Sequence, residues 1–291
     1  MNLPLPVPTR IAVLAHLSIP AGVETAETIA GYLREHGVQS TAFGTLQDPA
    51  IIQRVKGGEF EMIIALGGDG TMLRAGSLGS PLGLPILGIN MGHFGFLTEI
   101  QLDQWRESLL HLVEGRYRLE ERMMLRAEHI RDGKVLDSWH VINEVVVCRG
   151  QFVRPIQVVA EVDGSVMYSY VADGLIAATP TGSTAYALAA GGPIMPPDLR
   201  NILIIPVAPH LSMDRAIILA EGAGVTMTVK TSHEAVMSVD GRPPDPMLDG
   251  DSVRVAVNDF TIHFVRFQDP GYFYRNITAY MEQNPLTGNR R

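Results

Sequence analysis

Residues 61 to 76 read EMIIALGGDGTMLRAG, where a run of apolar residues ends abruptly at Gly-Gly-Asp-Gly-Thr. The apolar run predicts a buried strand, and the residues after Gly70 are typical of a helix. A loop between such a strand and helix lies at the carboxyl edge of a parallel sheet, where α/β folds bind their ligands. The stretch therefore predicts an α/β fold and, in the same place, a ligand site.

The same alternation of strand and helix patterns continues on both sides of this loop. Strand patterns occur at 10–16, 38–44, 61–66 and 84–90, and helical periodicity is clearest at 21–37 and 101–115. Short apolar strands separated by helices predict a buried parallel sheet. We therefore expect an N-terminal α/β domain, Rossmann-like with a parallel sheet, over residues 1–118.

From about residue 118 onward the pattern changes, and strand-like runs follow one another with turn signals between them. Examples are RMMLRAEHI, VLDSWHVINEVVVCRG and PIQVVAEV, with RDGK and DGS as turns. This succession predicts a mostly antiparallel β domain at the C-terminal side, over residues 119–268. The segment 269–291 contains GYFYRNITAYMEQ, for which we expect a helix that returns to the N-terminal domain.

Composition limits the classes of partner. The chain of 291 residues carries 31 acidic and 23 basic residues, a net charge of −8, which argues against broad binding to nucleic acid or anionic membrane. No apolar run reaches the roughly 18 residues of a membrane span. The single cysteine, Cys148, excludes an internal disulfide, and the N-terminal sequence lacks the basic leader of a signal peptide. These features predict a cytoplasmic protein.

The glycine-flanked aspartate carries the first chemical signal. The glycines let backbone amides approach an anion, and the helix that follows directs its N-terminal dipole at the same point. Asp69 would repel a phosphate there, so its presence indicates a function such as holding Mg²⁺ or accepting a proton from an attacking hydroxyl, as in phosphoryl transfer. Alternatively, the motif is a tight turn in which Asp69 only caps the helix. The predicted phosphate loop is Gly67, Gly68, Gly70 and Thr71, with Arg74 one turn further on.

A second glycine-rich stretch, GINMGHFGFLTE at 88–99, follows the next strand. Asn90 is a candidate for hydrogen bonds to a base or ribose, whereas the apolar residues of the stretch are expected to pack. The chain has neither the GxxxxGK[ST] loop of standard nucleotide triphosphatases nor a GxGxxG after a strand, so it predicts neither a standard NTPase nor a standard dinucleotide fold.

Two further constellations lie in the predicted β domain. Asn143 and Glu144 interrupt the apolar run VINEVVV, where consecutive residues of one strand point to opposite faces, so one of them faces a cleft or the interior. The stretch 171–193 breaks the β pattern: Asp173 precedes a predicted strand, and hydroxyl side chains are placed to cap a short helix, STAYALAA. A capped helix covering one end of a sandwich is the alternative interpretation.

Taken together, GGDGT at 67–71, NMGHFGFLTE at 90–99, the pair at 143–144 and DGLIAATPTGSTAYALAAGGP at 173–193 resemble the NAD kinase family. The first motif alone is weak, because diacylglycerol, sphingosine and 6-phosphofructokinases carry similar loops. Four motifs in the same order are specific. The resemblance implies an enzyme that transfers phosphoryl from ATP, or from polyphosphate in some members, to the 2′-hydroxyl of the adenosine ribose of NAD, with Mg²⁺ or another divalent ion.

The resemblance also implies roles for individual residues. Asp69 matches the family's proton acceptor, with Gly70 and Arg74 beside the phosphates; no motif supplies a metal site directly. The positions implied to bind NAD are Asn143, Glu144, Asp173, Thr184, Ala185, Tyr186, Ala187, Leu188 and Ala189, and with weaker support Arg154, Thr181 and Ala208. Ala187 stands where the family usually has a serine, so a ligand-binding hydroxyl is lost there.

The family comparison further implies a homodimer or homotetramer whose ligands are NAD and ATP or polyphosphate. Two other functions stay open from the sequence. One is a lipid or sugar kinase that shares the GGDGT loop but has no need for the pair at 143–144 or the loop TGSTAY at 181–186. The other is a nonenzymatic NAD sensor, against which the intact Asp69 argues.

Overall fold

The computed structural model describes residues 5–92 and 95–282, with backbone only at 280–282. Contacts divide the chain into two units. The first contains the described residues up to Glu121 and those from Ile262 onward, and the second is the continuous segment Arg122–Thr261. The second unit is therefore an insertion into the first, with boundaries at 121/122 and 261/262 where the sequence suggested 118/119 and 268/269.

The strands and helices are numbered here in chain order. The strands of the first half are β1 (Arg10–Ala15), β2 (Ser40–Thr45), β3 (Met62–Leu66), β4 (Ile86–Asn90), β5 (Ile100–Gln101), β6 (Arg118–Arg122), β7 (Leu125–Arg131), β8 (Lys134–Val141) and β9 (Glu144–Arg149). The remaining strands are β10 (Ile156–Val162), β11 (Ser165–Ala178), β12 (Leu203–Pro209), β13 (Ile217–Ile218), β14 (Val225–Lys230), β15 (Ala235–Val239), β16 (Asp245–Met247), β17 (Ser252–Val257) and β18 (Ile262–Arg266). The α-helices are α1 (Gly22–Glu35), α2 (Pro49–Lys56), α3 (Asp69–Gly79), α4 (Trp105–Val113), α5 (Tyr186–Ala189) and α6 (Tyr272–Glu282).

The first unit is built on a mostly parallel sheet with the strand order β2-β1-β3-β4-β18-β6, and β5 pairs with β4. Strands β1, β2, β3 and β4 pair in parallel, as does β18 with β4. Helix α1 shows why such helices cover the sheet: Ala26, Ile29, Ala30 and Leu33 are fully buried and recur at helical spacing. The predicted α/β domain is confirmed.

The second unit is built on an antiparallel sheet with the order β16-β15-β9-β11-β10-β14-β17-β7-β8, and β12 pairs with β11 and β13. The predicted antiparallel β domain is confirmed. The long strand β11 organises this sheet, because its first half pairs with β10 and its second half lies between β9 and β12. That second half carries Asp173 and delivers the chain to the loop that follows Ala178.

Three details of the sequence analysis are wrong. The run 135–150 is broken by a bend at Ile142 and Asn143, so Asn143 and Glu144 do not lie on opposite faces of one strand. Asp173 lies inside β11 and does not precede a strand. The predicted helix STAYALAA is reduced to a 3₁₀ turn at Gly182–Thr184 and the four residues of α5, and the residue at the N-cap position of each makes no side-chain capping bond.

Among the helices at 5–92 and 95–282, none is long and apolar enough to cross a membrane.

Candidate active site

Asp69 is the first residue of α3 and directly follows the loop after β3. Its carboxylate does not cap this helix. It reaches the second glycine-rich stretch instead: Oδ2 accepts the backbone N–H of Phe96 at 2.9 Å, and Oδ1 accepts that of Leu97 at 3.0 Å. The interpretation of Asp69 as a helix cap is therefore wrong, and the two predicted loops form one arrangement.

Two glycines make this arrangement possible. A Cβ at Gly95 would lie 2.2 Å from Oδ1 of Asp69, so any side chain there would displace the carboxylate. Gly67 has a φ of 152°, and a Cβ there would lie 2.1 Å from Oγ1 of Thr71. His93 and Phe94 of the same predicted stretch lie outside the described residues.

Arg74 is exposed on α3 and contacts His16, the residue that follows β1. Nη1 of the arginine meets Nε2 of the imidazole, whose Nδ1 lies 2.6 Å from Oγ of Ser18. Burial and the charge of Arg74 both lower the pKa of His16, which favours the neutral ring that accepts a hydrogen bond from the guanidinium. The sequence analysis missed His16, although its place after a strand at the same sheet edge was a usable signal.

Asn90 ends β4 and is 1% exposed. Its Oδ1 accepts the N–H of Gly92 at 3.0 Å, and its Nδ2 lies 3.4 Å from Oε1 of Gln101. The side chain thus fastens its own loop, and its suggested contact with a base or ribose stays a prediction.

In the second unit Glu144 is a candidate site residue because its carboxyl group is buried. It is 6% exposed, and its Oε2 has no hydrogen-bond partner among the described residues. Burial and the neighbouring Asp240 raise the pKa of Glu144 to about 8, although the backbone N–H of Tyr186 donates to the carboxyl group. The Tyr186 contact brings the pair at 143–144 together with the loop at 181–189.

Asp240 fixes the bend that precedes Glu144. Its Oδ2 accepts the N–H of Ile142 at 2.9 Å, while its Oδ1 accepts those of Asn143 at 2.7 Å and Glu144 at 3.2 Å. The residue has a φ of 48°, in the left-handed region that Asp tolerates better than most residues. The sequence analysis missed Asp240, although the dipeptide Asp240-Gly241 is a turn signal.

Asp173 is flanked by the guanidinium of Arg149 and the imidazole of His210. Oδ2 lies 3.1 Å from Nε of Arg149, and Oδ1 lies 4.0 Å from Nε2 of His210. The carboxylate is 29% exposed and is therefore accessible to a ligand.

The residues of the loop at 181–189 differ in their exposure. Ala187 is fully buried in an apolar cluster with Val146 and Ile176, so its methyl group packs in the core. Oγ1 of Thr181 lies 3.5 Å from Nη1 of Arg122. The accessible predicted positions are Thr184, Ala185, Tyr186, Leu188 and Ala189, together with Arg154 in an exposed bend and Ala208, which has a φ of 45°.

Over 5–92 and 95–282, no cluster of three or more His, Cys, Asp or Glu side chains can enclose a metal ion. These residues are nevertheless compatible with a divalent ion that is bound together with the substrate. In phosphoryl-transfer sites Mg²⁺ is commonly held by the substrate's phosphates and one or two carboxylates.

Comparison with known proteins identifies the family to which this chain belongs. Residues 17–117 match the ATP-NAD kinase N-terminal domain, and residues 142–267 match the ATP-NAD kinase C-terminal domain. The NAD kinase of Heliobacterium modesticaldum is 39% identical over 262 residues, covering 87% of this chain and 92% of the relative. That of Symbiobacterium thermophilum is 38% identical over 275 residues, covering 92% and 96%.

Solved structures share the fold. Yeast NADH kinase complexed with NADH has a TM-score of 0.82 at 22% identity and covers 100% of this chain and 90% of its own. An NAD kinase from Archaeoglobus fulgidus in complex with ATP has a TM-score of 0.75 at 24% identity and covers 94% and 99%. The two matched domains and the curated relatives together show that this chain is an enzyme of the NAD kinase family.

Proposed function

We propose that this enzyme transfers the terminal phosphoryl group of ATP to the 2′-hydroxyl of the adenosine ribose of NAD, which yields NADP, with Asp69 as the general base. The observation that carries the proposal is the Asp69 carboxylate, held by two backbone amides at the start of a glycine-rich helix in a chain of this family. Polyphosphate is the alternative donor.

The hydrogen bonds of Asp69 leave it able to accept a proton. Each oxygen of the carboxylate accepts one backbone N–H, from Phe96 or from Leu97. A carboxylate held in this way can accept the proton of an attacking hydroxyl, whose reactivity rises as the proton departs. The two amides fix the direction of the carboxylate before the substrate arrives, so less reorganisation is needed in the reaction.

The loop beside Asp69 is suited to the phosphates of the donor. Gly67, Gly68, Gly70 and Thr71 stand at the N-terminal end of α3, where backbone N–H groups and the helix dipole favour an anion. Arg74 lies one turn further along and is oriented by neutral His16. We propose that the guanidinium contacts a phosphate oxygen of the donor.

The second unit is proposed to bind NAD. The unpartnered Oε2 of buried Glu144 supports this assignment, because a buried polar atom without a partner costs about 1–3 kcal/mol that a ligand hydroxyl or amide would recover. The further proposed contacts in the second unit are Asn143, Arg154, Asp173, Thr181, Thr184, Ala185, Tyr186, Ala187, Leu188, Ala189 and Ala208. In the first unit, Asn90 stays a proposed contact to a base or ribose. At Ala187 only the backbone is available, because its side chain is buried.

We further propose Mg²⁺ as the metal, held mainly by the donor phosphates, so that the Asp69 carboxylate acts as the base. When bound, it would neutralise the charge of the transferring phosphoryl group. A cytoplasmic location and a homodimer or homotetramer complete the proposal.

The test compares wild type with Asp69→Asn, which keeps the shape of the side chain but removes the base. NADP is followed with an NADP-specific dehydrogenase, using ATP or polyphosphate with Mg²⁺, and NAD binding is measured by calorimetry. We expect turnover to fall by about 10²–10⁴-fold with NAD binding retained. Asp103→Asn, an exposed carboxylate before α4, is the matched control and should leave turnover unchanged.

Two outcomes would contradict the proposal. Equal turnover by Asp69→Asn and wild type would exclude Asp69 as the base. NAD binding by the wild type without NADP from either donor would favour the sensor function.

A further inference from the structure

The loop that holds Asp69 is itself fastened to β18, the strand that enters the first unit after the insertion. Arg266, at the end of β18, is 5% exposed, and its Nη1 donates to the carbonyl oxygen of Leu97 at 2.8 Å. The N–H of the same Leu97 donates to Oδ1 of Asp69. A single residue therefore joins the buried guanidinium to the proposed base.

Burial of the Arg266 guanidinium is costly, and two contacts compensate for this cost. Its Nε donates to Oε2 of Glu120 at 2.7 Å, and its guanidinium carbon lies 5.0 Å from the ring centre of Phe264. A buried ion pair often contributes little net stability compared with apolar residues, whereas its forked geometry fixes the groups around it. The arrangement is therefore better suited to positioning than to stabilising the fold.

A second fastening connects the same two segments. Glu99, two residues after Leu97, accepts the backbone N–H of Phe267 at 3.2 Å and that of Gln268 at 2.6 Å. In both fastenings the loop accepts: the Arg266 side chain donates to Leu97, and the backbone after β18 donates to Glu99. Contacts at two separate points restrict both sliding and tilting of the loop against the strand.

We infer that Arg266 is a positioning residue for Asp69: it holds the Leu97 segment so that the two amide donors keep the carboxylate in the orientation needed to accept the hydroxyl proton. This inference rests on the proposed role of Asp69. Catalytic geometry is sensitive at this scale, since a displacement of about 1 Å can reduce a rate by about 10²-fold.

The test uses Arg266→Gln and Arg266→Lys in the full-length enzyme, with ATP, Mg²⁺ and NAD. For Arg266→Gln we expect kcat to fall by about 10–100-fold, while KM for NAD and its calorimetric Kd stay within about twofold. Lysine keeps the charge but presents one nitrogen, so it reaches either Leu97 or Glu120. The kcat of Arg266→Lys should therefore lie between the values of Arg266→Gln and wild type.

A matched control is available further along the chain. Arg275, an exposed residue of α6, donates from Nη1 to Oδ1 of Asp269 at 3.0 Å and from Nη2 to Oδ2 at 2.7 Å. Its partner lies outside the Leu97–Glu99 segment, so Arg275→Gln should leave kcat within about twofold of wild type. Gly95→Ala provides an independent disturbance of the carboxylate, since its Cβ would lie 2.2 Å from Oδ1, and should reduce kcat as Arg266→Gln does.

Three results would overturn the inference: wild-type kcat in Arg266→Lys and Arg266→Gln, an equal loss of kcat in Arg275→Gln, or a rise in KM with kcat unchanged. If Arg266→Gln does not fold, Arg266→Lys decides by the same criteria. Failure of the positioning role can be told apart from failure of the base assignment. If Asp69 is not the base, Asp69→Asn itself retains turnover. If Asp69→Asn is inactive but the Arg266 variants are fully active, only the positioning role is rejected.

Discussion

At the scale of single residues, Glu144 combines burial with the charge of a neighbouring carboxylate. Burial first, and then Asp240, raise its pKa from 4.5 to about 8, so the ligand-free enzyme holds a proton there at neutral pH. Such a group favours the folded state fully below the pKa of the unfolded chain, and this contribution is lost as the pH rises through the folded pKa.

The resulting prediction concerns Glu144→Gln, which keeps a neutral hydrogen-bonding group of similar shape. At pH 5 the variant should have nearly the same free energy of unfolding as wild type. As the pH rises from 5 to about 8, the free energy of unfolding of the variant should increase relative to that of wild type by roughly 3 to 5 kcal/mol. One unit of pKa difference corresponds to about 1.4 kcal/mol. Urea unfolding at pH 5, 6.5 and 8.5 measures the difference.

Glu161→Gln, on β10 of the same sheet, is the control for the loss of one carboxylate. Its free energy of unfolding should run parallel to that of wild type over the same pH range. A pH-independent difference between Glu144→Gln and wild type would show that Glu144 is ionised throughout, contrary to the structure.

At the scale of elements, the bend between β8 and β9 places Asn143 and Glu144, and it depends on a distant residue. Asp240 accepts three successive backbone N–H groups of this bend from 98 positions further along the chain, counted from Ile142. No local signal in VINEVVV marks the bend, because its apolar residues continue the strand pattern. The sequence therefore identifies the pair as special but misses both the break in the strand and the group that causes it.

We predict that Asp240→Asn weakens this bend. Asparagine tolerates the left-handed conformation but has one acceptor oxygen where the carboxylate has two, so one buried N–H loses its partner. We expect a loss of about 1–3 kcal/mol in the free energy of unfolding at pH 5 and weaker NAD binding. Urea unfolding and calorimetry provide the two measurements.

Asp163→Asn is the matched control for this change. Asp163 has the same φ of 48° and also precedes a glycine, but its side chain accepts a single backbone N–H, that of Gly224 at 2.9 Å. One amide oxygen replaces that acceptor, so both effects should be small. A comparable loss in the two variants would show that the bend does not depend on the second oxygen of Asp240.

At the scale of the whole molecule, the sequence predicts the two kinds of sheet well because periodicity reports burial on one face or both. It does not predict which sheet receives β18. The run TIHFVRF alternates like the antiparallel strands before it, yet β18 pairs in parallel with β4. Sheet membership depends on which neighbours offer unpaired backbone groups, and that information lies elsewhere in the chain. Arg266 was missed for the same reason.

The insertion has its own core. Every buried residue of its main apolar cluster lies between Met123 and Val255, and β6 and β18, which flank the insertion, are neighbours in the sheet of the first unit. A segment with a contiguous core and adjacent attachment points is expected to fold independently.

We therefore predict that residues 122–261, expressed alone, unfold in a single cooperative urea transition with the circular dichroism of a β protein. The fragment lacks Asp69 and should form no NADP. A shorter fragment, 122–200, is the control: it lacks β14 and β17, which join β10 to β7 in the sheet, and should not fold. A broad transition with strong dye binding by the 122–261 fragment would mean that the insertion needs the first unit to complete its packing.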